Sequence, residues 1–306
     1  AATMTHAPEA PAGGLALPEL RLKPREGRRL SAGHLWVFSN EVDTERTPLT
    51  AFAQGASCRV IDDRDHFLGY AYVNPHALIC ARILGRDPRY PPGKSLLVHR
   101  LQVALALRER LHARPYYRLA YGESDGLPGL VLDRYGDVVV GQVGTAGMEA
   151  LKAEVQAAVE QVIAPQAMVW KNDSGARELE GLPVYVETAF GTAPEQVTVE
   201  ESGVRFRVPV GGGQKTGWFY DQAANRAALL KYVRGARVRD VFSYLGAWGL
   251  SAGFDEPGRG ARRSIRSAVR GFVRARARAA AGVGAGQRSR RAGASRRCVR
   301  RAGGAA

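Results

Sequence analysis

The last leucine of this 306-residue chain is Leu250. Beyond it the text is arginine, alanine, glycine and serine with a single isoleucine, Ile265, and neither a helical nor a strand period. Such a stretch has too little apolar surface to offset the entropy of ordering it, so any packed core must come from the residues before it. Charge divides in the same way. Residues 253–306 carry fifteen arginines, no lysine and only two acids, Asp255 and Glu256, so +13 of the +15 net charge lies there and residues 1–252 carry +2. A basic excess ordinarily points to a polyanion, because lysine and arginine displace counterions from phosphates. Here it belongs to the stretch and not to the body. Two readings stand: a genuine basic tail that binds RNA, or translation in a wrong frame, which in a GC-rich gene yields arginine, alanine, glycine and proline. The second is preferred, because an α/β domain broken after its first strand cannot bury its hydrophobic faces.

The body is that of a globular protein, with 45% hydrophobic residues. No uninterrupted apolar run approaches ~18 residues and no basic-then-apolar leader opens the chain, so neither membrane insertion nor secretion is expected, and the reading is cytoplasmic. The cysteines, Cys58, Cys80 and Cys298, are odd in number and without CxxC spacing. That argues against a disulfide framework and against a metal site.

Residues 1–19, rich in Ala, Pro and Gly, are expected to be disordered. Alternation predicts strands at 20–23, 57–62, 67–73 and 78–84, an antiparallel meander or barrel closing a first domain over 20–90. Pro91-Pro92-Gly93 opens a second domain, 91–190. It has a helix over 96–113, strands at 118–123, 130–135 and 138–143, a helix over 148–163, and strands at 167–171 and 184–187. A hairpin over 197–210, a glycine-rich loop, a helix over 221–233 and a strand over 238–242 make up 191–252. That last strand runs into the glycine turn at 243–249, the form in which an open parallel sheet presents a ligand crevice. Residues 253–306 are read as an anomalous, disordered tail. The loop Gly211-Gly212-Gly213-Gln214-Lys215-Thr216 imitates a P-loop but fails, since Gln214 and not glycine precedes Lys215.

Four segments in order carry a resemblance: Gly33-His34-Leu35-Trp36-Val37-Phe38-Ser39; Gly122-Glu123-Ser124-Asp125-Gly126-Leu127-Pro128-Gly129 with Asp133-Arg134-Tyr135-Gly136; Gln214-Lys215-Thr216-Gly217-Trp218-Phe219-Tyr220-Asp221-Gln222 with Asn225-Arg226; and Phe242-Ser243-Tyr244-Leu245-Gly246-Ala247-Trp248-Gly249. Over residues 20–250 the chain resembles the S-adenosylmethionine-dependent 23S ribosomal RNA cytosine-C5 methyltransferases that contain a PUA domain. The fold so implied is a multidomain α/β and α+β protein. It comprises a β-rich PUA RNA-binding domain, a small strand-strand-helix-strand-strand domain, and the incomplete start of a Rossmann-like methyltransferase domain.

The resemblance implies that Asp240, Phe242, Ser243, Tyr244, Gly246 and Gly249 hold S-adenosylmethionine, with Lys215, Thr216, Asp221 and Arg226 over its entrance. Asp221 and Arg226 are a candidate buried pair; the plainer reading of both charges is a helix N-terminus and a solvated face. Lys23, Arg25, Arg28, Arg29, His34 and Trp36 form a basic and aromatic cluster of the type that contacts RNA phosphates and bases. Trp36 is equally readable as core, and the arginines as solvated surface. The partner implied is 23S ribosomal RNA or its large-subunit precursor; the oligomeric state is left open. Methylation at carbon 5 of cytosine needs a thiolate. Cys58 and Cys80 lie on expected strands, where a buried structural thiol is the better reading, and Cys298 lies in the tail, so no catalytic residue is assigned. The family's ribose-binding acid, Asp-Pro-Pro turn and nucleophilic cysteine are not legible after Leu250.

Overall fold

The computed structural model describes residues 17–233 and 236–253. The expectations for residues 1–16 and for the tail beyond 253, Cys298 included, lie outside them. Among the described residues the chain divides into two units. The first runs to Glu200 and also takes in Arg207–Tyr220; the second comprises Glu201–Phe206 and the residues from Asp221 onward.

In the first unit, alternating apolar residues build a five-stranded sheet in the order β1-β3-β4-β5-β2, from β1 (Glu19–Arg21), β2 (Trp36–Phe38), β3 (Ser57–Ile61), β4 (Phe67–Val73) and β5 (Ile79–Gly85). The expected meander is antiparallel except at its edge, where β1 pairs with β3 in parallel. A short helix, α1 (Gly27–Ser31), fills the basic segment before β2. Leu20, Leu22, Leu30, Val37, Cys58, Val60, Ala71, Val73, Cys80 and Ile83 form the core, so both cysteines are packing residues.

The helix α2 (Lys94–Leu111) leads into a second sheet of order β10-β9-β8-β7-β6. Its strands are β6 (Tyr116–Tyr121), β7 (Leu130–Tyr135), β8 (Val138–Val143), β9 (Ala167–Asn172) and β10 (Tyr185–Gly191). Three strands precede the helical crossover, at the places expected over 118–123, 130–135 and 138–143; β6 is the edge strand added to the strand-strand-helix-strand-strand pattern. That crossover makes β8 and β9 parallel. The expected single helix is two, α3 (Ala146–Ala150) and α4 (Lys152–Ile163), broken at Leu151. One face of the sheet packs Leu119, Leu132, Val139, Met168 and Trp170 against Leu97, Leu101, Val155 and Val159 of α2 and α4.

The two sheets of this unit are joined through buried polar groups. Glu180, just after α5 (Ala176–Leu179), receives hydrogen bonds from Arg82 Nη1 (3.0 Å), Asn74 Nδ2 (2.8 Å) and the Ala146 amide (3.2 Å). The fully enclosed Tyr72 hydroxyl donates to the Pro128 carbonyl at 3.0 Å; burial holds it well above the ordinary phenol range, so it stays protonated.

Next, β11 (Gln196–Glu201) and β12 (Val204–Pro209) pair as a two-stranded sheet. In the second unit the helix expected over 221–233 is confined to α6 (Ala223–Leu229), after one 3-10 turn. The strand expected over 238–242 is not formed. Those residues make no sheet pairing among the described residues, and Val241 and Phe242 are 59% and 84% exposed. A parallel strand needs neighbours to satisfy its amides and cover its faces, and the text after Leu250 provides none that is legible. The glycine turn does lead into a helix, α7 (Ala247–Ala252). No described helix is long and apolar enough to cross a membrane.

Candidate functional site

Two pairs of the motifs meet in space. In the first pair, Trp36 is 41% exposed, and its indole Nε1 donates to Glu123 Oε1 at 2.7 Å. Glu123 also stands 4.0 Å from Arg82 Nε. The 3-10 turn carrying Glu123 ends at Gly126, whose φ of +67° a side chain rarely adopts. Arg108 clamps Asp125 from α2 through two bonds of 2.5 and 2.7 Å and so fixes the turn.

In the second pair, Asp133 is fully buried on β7, held by Arg118 at 2.9 and 3.0 Å, and receives the Thr216 hydroxyl. Tyr135 donates to Thr216 Oγ1 at 3.2 Å and accepts the Trp218 amide at 3.1 Å, while the Tyr220 hydroxyl donates to the Arg134 carbonyl at 2.8 Å. Asp133-Arg134-Tyr135 is therefore the dock for the segment Thr216-Gly217-Trp218-Phe219-Tyr220. A Cβ on Gly217 would sit 2.8 Å from the Pro209 carbonyl, which is why the segment passes there as glycine.

The expected site residues fall as follows. Lys215 and Thr216 belong to the first unit. Lys215 has a left-handed backbone, φ +47°, and its ammonium lies 4.4 Å from the Phe219 ring centroid, whereas Thr216 is wholly enclosed. The remaining cofactor candidates belong to the second unit. There Asp240 Oδ2 accepts the Gly249 amide at 2.9 Å, and a Cβ at Gly249 would lie 3.1 Å from Asp240 Cβ. Between them Phe242, Tyr244 and Gly246 are left-handed, with φ of +60°, +49° and +75°, and Ser243 is buried. Two bulky residues in that region are strained, a condition found where backbone serves a ligand. Arg226 is 2% exposed and pairs through Nε and Nη2 with Glu201 at 2.5 and 2.7 Å. Asp221 is exposed.

Among the RNA candidates, Lys23, Arg25, Arg28 and His34 are exposed. Lys23 Nζ reaches the Asn40 carbonyl at 2.9 Å, and Arg25 is left-handed at φ +72°. Arg29 is committed internally: its Nη2 donates to the Trp36 carbonyl at 3.1 Å, and its guanidinium stacks on Phe38 at 5.0 Å and lies 3.5 Å from Glu41. It orients Trp36. Sequence reasoning missed Glu123, Asp133 and Glu201 as organising acids. Asp133 left one signal, a carboxylate at a position between Leu132 and Arg134 where the strand register turns away from the main core.

A family model described as a PUA-like domain matches residues 20–86. Ribosomal RNA large subunit methyltransferase I of Photobacterium profundum is 36% identical over 236 residues, which is 76% of this chain and 58% of that protein. The protein of the same name from Alteromonas mediterranea is 33% identical over 235 residues, with the same two shares. The chain thus spans under two thirds of the length of these relatives. Among solved structures, a candidate SAM-dependent methyltransferase from Streptococcus mutans superposes with a TM-score of 0.64 at 21% identity, covering 81% of this chain and 65% of that one. A candidate methyltransferase whose structure is complexed with SAH gives 0.65 at 21% identity with the same coverage. These two show likeness of fold.

Proposed function

We propose that, over the 236 residues it shares with the protein from Photobacterium profundum, the chain belongs to the family of ribosomal RNA large subunit methyltransferase I, and that it is the RNA-binding and cofactor-turn part of an enzyme methylating carbon 5 of a cytosine in 23S ribosomal RNA. The observation that carries this reading is the pairing of motifs in space, Trp36 with Glu123 and Asp133 with Thr216. A PUA-like domain with an exposed tryptophan and flanking Lys23, Arg25, Arg28 and His34 supplies phosphate contacts and a stacking surface. Three domains are proposed, over 20–90, 91–190 and 191–252, acting in the cytoplasm.

The group implied is S-adenosylmethionine, which supplies an electrophilic methyl on a sulfonium. One half of a site fits it. The Asp240–Gly249 closure winds a strained glycine turn whose backbone suits the methionine portion. For the adenosine half no legible residue follows Leu250. Nor does the described chain offer the thiolate that must add at carbon 6 of cytosine, because Cys58 and Cys80 are enclosed and burial drives both thiols upward, Cys80 to about 12. We therefore read the 306-residue chain as binding RNA without methylating it, and the stretch after Leu250 as read in a wrong frame. Calorimetric titration with S-adenosylmethionine and a methyl-transfer assay on undermodified 23S RNA test this together. No transfer is expected; low-micromolar cofactor binding or clear cytosine methylation would overturn it. Nucleotide sequence around codon 250, read in all frames, tests the frame itself.

A further inference from the structure

The face of the second sheet opposite its main core is covered by the Thr216–Tyr220 dock around Asp133 and Tyr135. One rung further along the strands, at Val131, Gln142 and Lys171, it opens into a cavity of about 320 Å³ at the carboxyl ends of the parallel strands β8 and β9. Tyr121 stands at its rim. Although the Arg118 guanidinium lies 5.2 Å from its ring centroid, Tyr121 is 55% exposed. Glu123 and Ser124 line this cavity and also a neighbouring one of about 420 Å³, which contains Arg86 and Arg100.

We propose that the cavity beside Tyr121 receives one unpaired RNA base, stacked on the tyrosine with its polar edge turned to Gln142 and Lys171, while the adjoining phosphates run past Arg86 and Arg100. This rests on the RNA-binding reading above and goes beyond it by giving the middle domain a receptor of its own. The charges select a base over a phosphate. Lys171 is 2% exposed and its ammonium is already matched by Asp173 at 2.6 Å; Arg177, also lining the cavity, is fully enclosed and matched by Glu149 at 2.8 Å; and Glu123 at the rim repels an anion. What remains is a near-neutral slot with an aromatic wall and hydrogen-bonding groups at its floor, of a volume at the small-ligand end of binding pockets. Trp36, tied to Glu123, offers a second exposed aromatic beside it.

The test uses the full chain and a fluorescent single-stranded RNA of mixed sequence, compared with the same strand carrying abasic nucleotides at its centre. Because the two strands carry equal charge, the arginine-rich stretch binds them alike, so any difference between them reports the missing bases. The intact strand should bind about ten-fold tighter. Tyr121→Ala should erase that ratio, Tyr121→Phe should keep it, and Gln142→Ala should reduce it, with circular dichroism confirming that each variant is folded. Equal affinity for the abasic strand, or an unchanged ratio in Tyr121→Ala, overturns the proposal. Failure of the broader RNA reading would look different: ribosomal RNA would compete no better than heparin of equal charge. If only the base receptor is wrong, that preference survives.

Discussion

Thr216 shows how a residue chosen for one role can be held by another. Its hydroxyl is enclosed and serves Asp133 and Tyr135, so Thr216→Val should leave a buried carboxylate short of a donor and cost about 1–3 kcal/mol in urea unfolding. An unchanged midpoint would show that the bond is not formed in solution. Arg226→Met removes both bonds to Glu201, whose side chain is only 13% exposed, and should cost more, about 3–5 kcal/mol, read as faster local hydrogen exchange in β11 and α6. The cysteines invite a pH test. With Cys80 raised to about 12 by burial, iodoacetamide should leave it unlabelled in the native chain at pH 8 and label it in urea. The unfolded state gives up its thiol proton first, so stability should fall as pH rises from the ordinary thiol range toward 12. These partners were hidden in the sequence because they are long-range. Glu201 reads as a turn residue until Arg226 reaches it, whereas the exposed Lys23, Arg28 and His34 were legible from residue type alone.

Elements whose signal was local came through, and the one that depends on flanking strands did not. Strands β3, β4, β7 and β8 match their expected ranges within a residue or so, because each is a β-rich run bounded by turn residues of its own. The strand expected over 238–242 had only its own apolar run as support, and a buried parallel strand is made by what flanks it. The break between α3 and α4 at Leu151 was likewise illegible, and within α3 Gly147 answers to a contact outside the helix. A Cβ at that position would lie 1.8 Å from Tyr72 Cγ. Helix propensity alone predicts that Gly147→Ala stabilises by up to about 1 kcal/mol. Overpacking against Tyr72 predicts the opposite sign, a loss of about 1–3 kcal/mol, and thermal unfolding decides between them. We expect the loss.

At the scale of the molecule, the two sheets of the first unit share buried contacts at Glu180, Asn74, Arg82 and Tyr72. Limited proteolysis should therefore yield one resistant fragment spanning roughly residues 20–190, with no early cut at Pro91-Pro92 despite its linker-like composition. Separate release of the two halves would show that the junction opens readily. The sequence marked a boundary there because proline and glycine punctuate the chain; it could not show that a carboxylate ninety residues later closes across it. Glu180 also limits what can be exchanged between relatives. Grafting a PUA-like domain from another protein would bring the carboxylate against a surface lacking Asn74 and Arg82, and an enclosed charge without partners resists folding. The domain and its neighbour therefore act as one exchangeable block, and recombination that respects the block should succeed where cutting at the apparent linker fails.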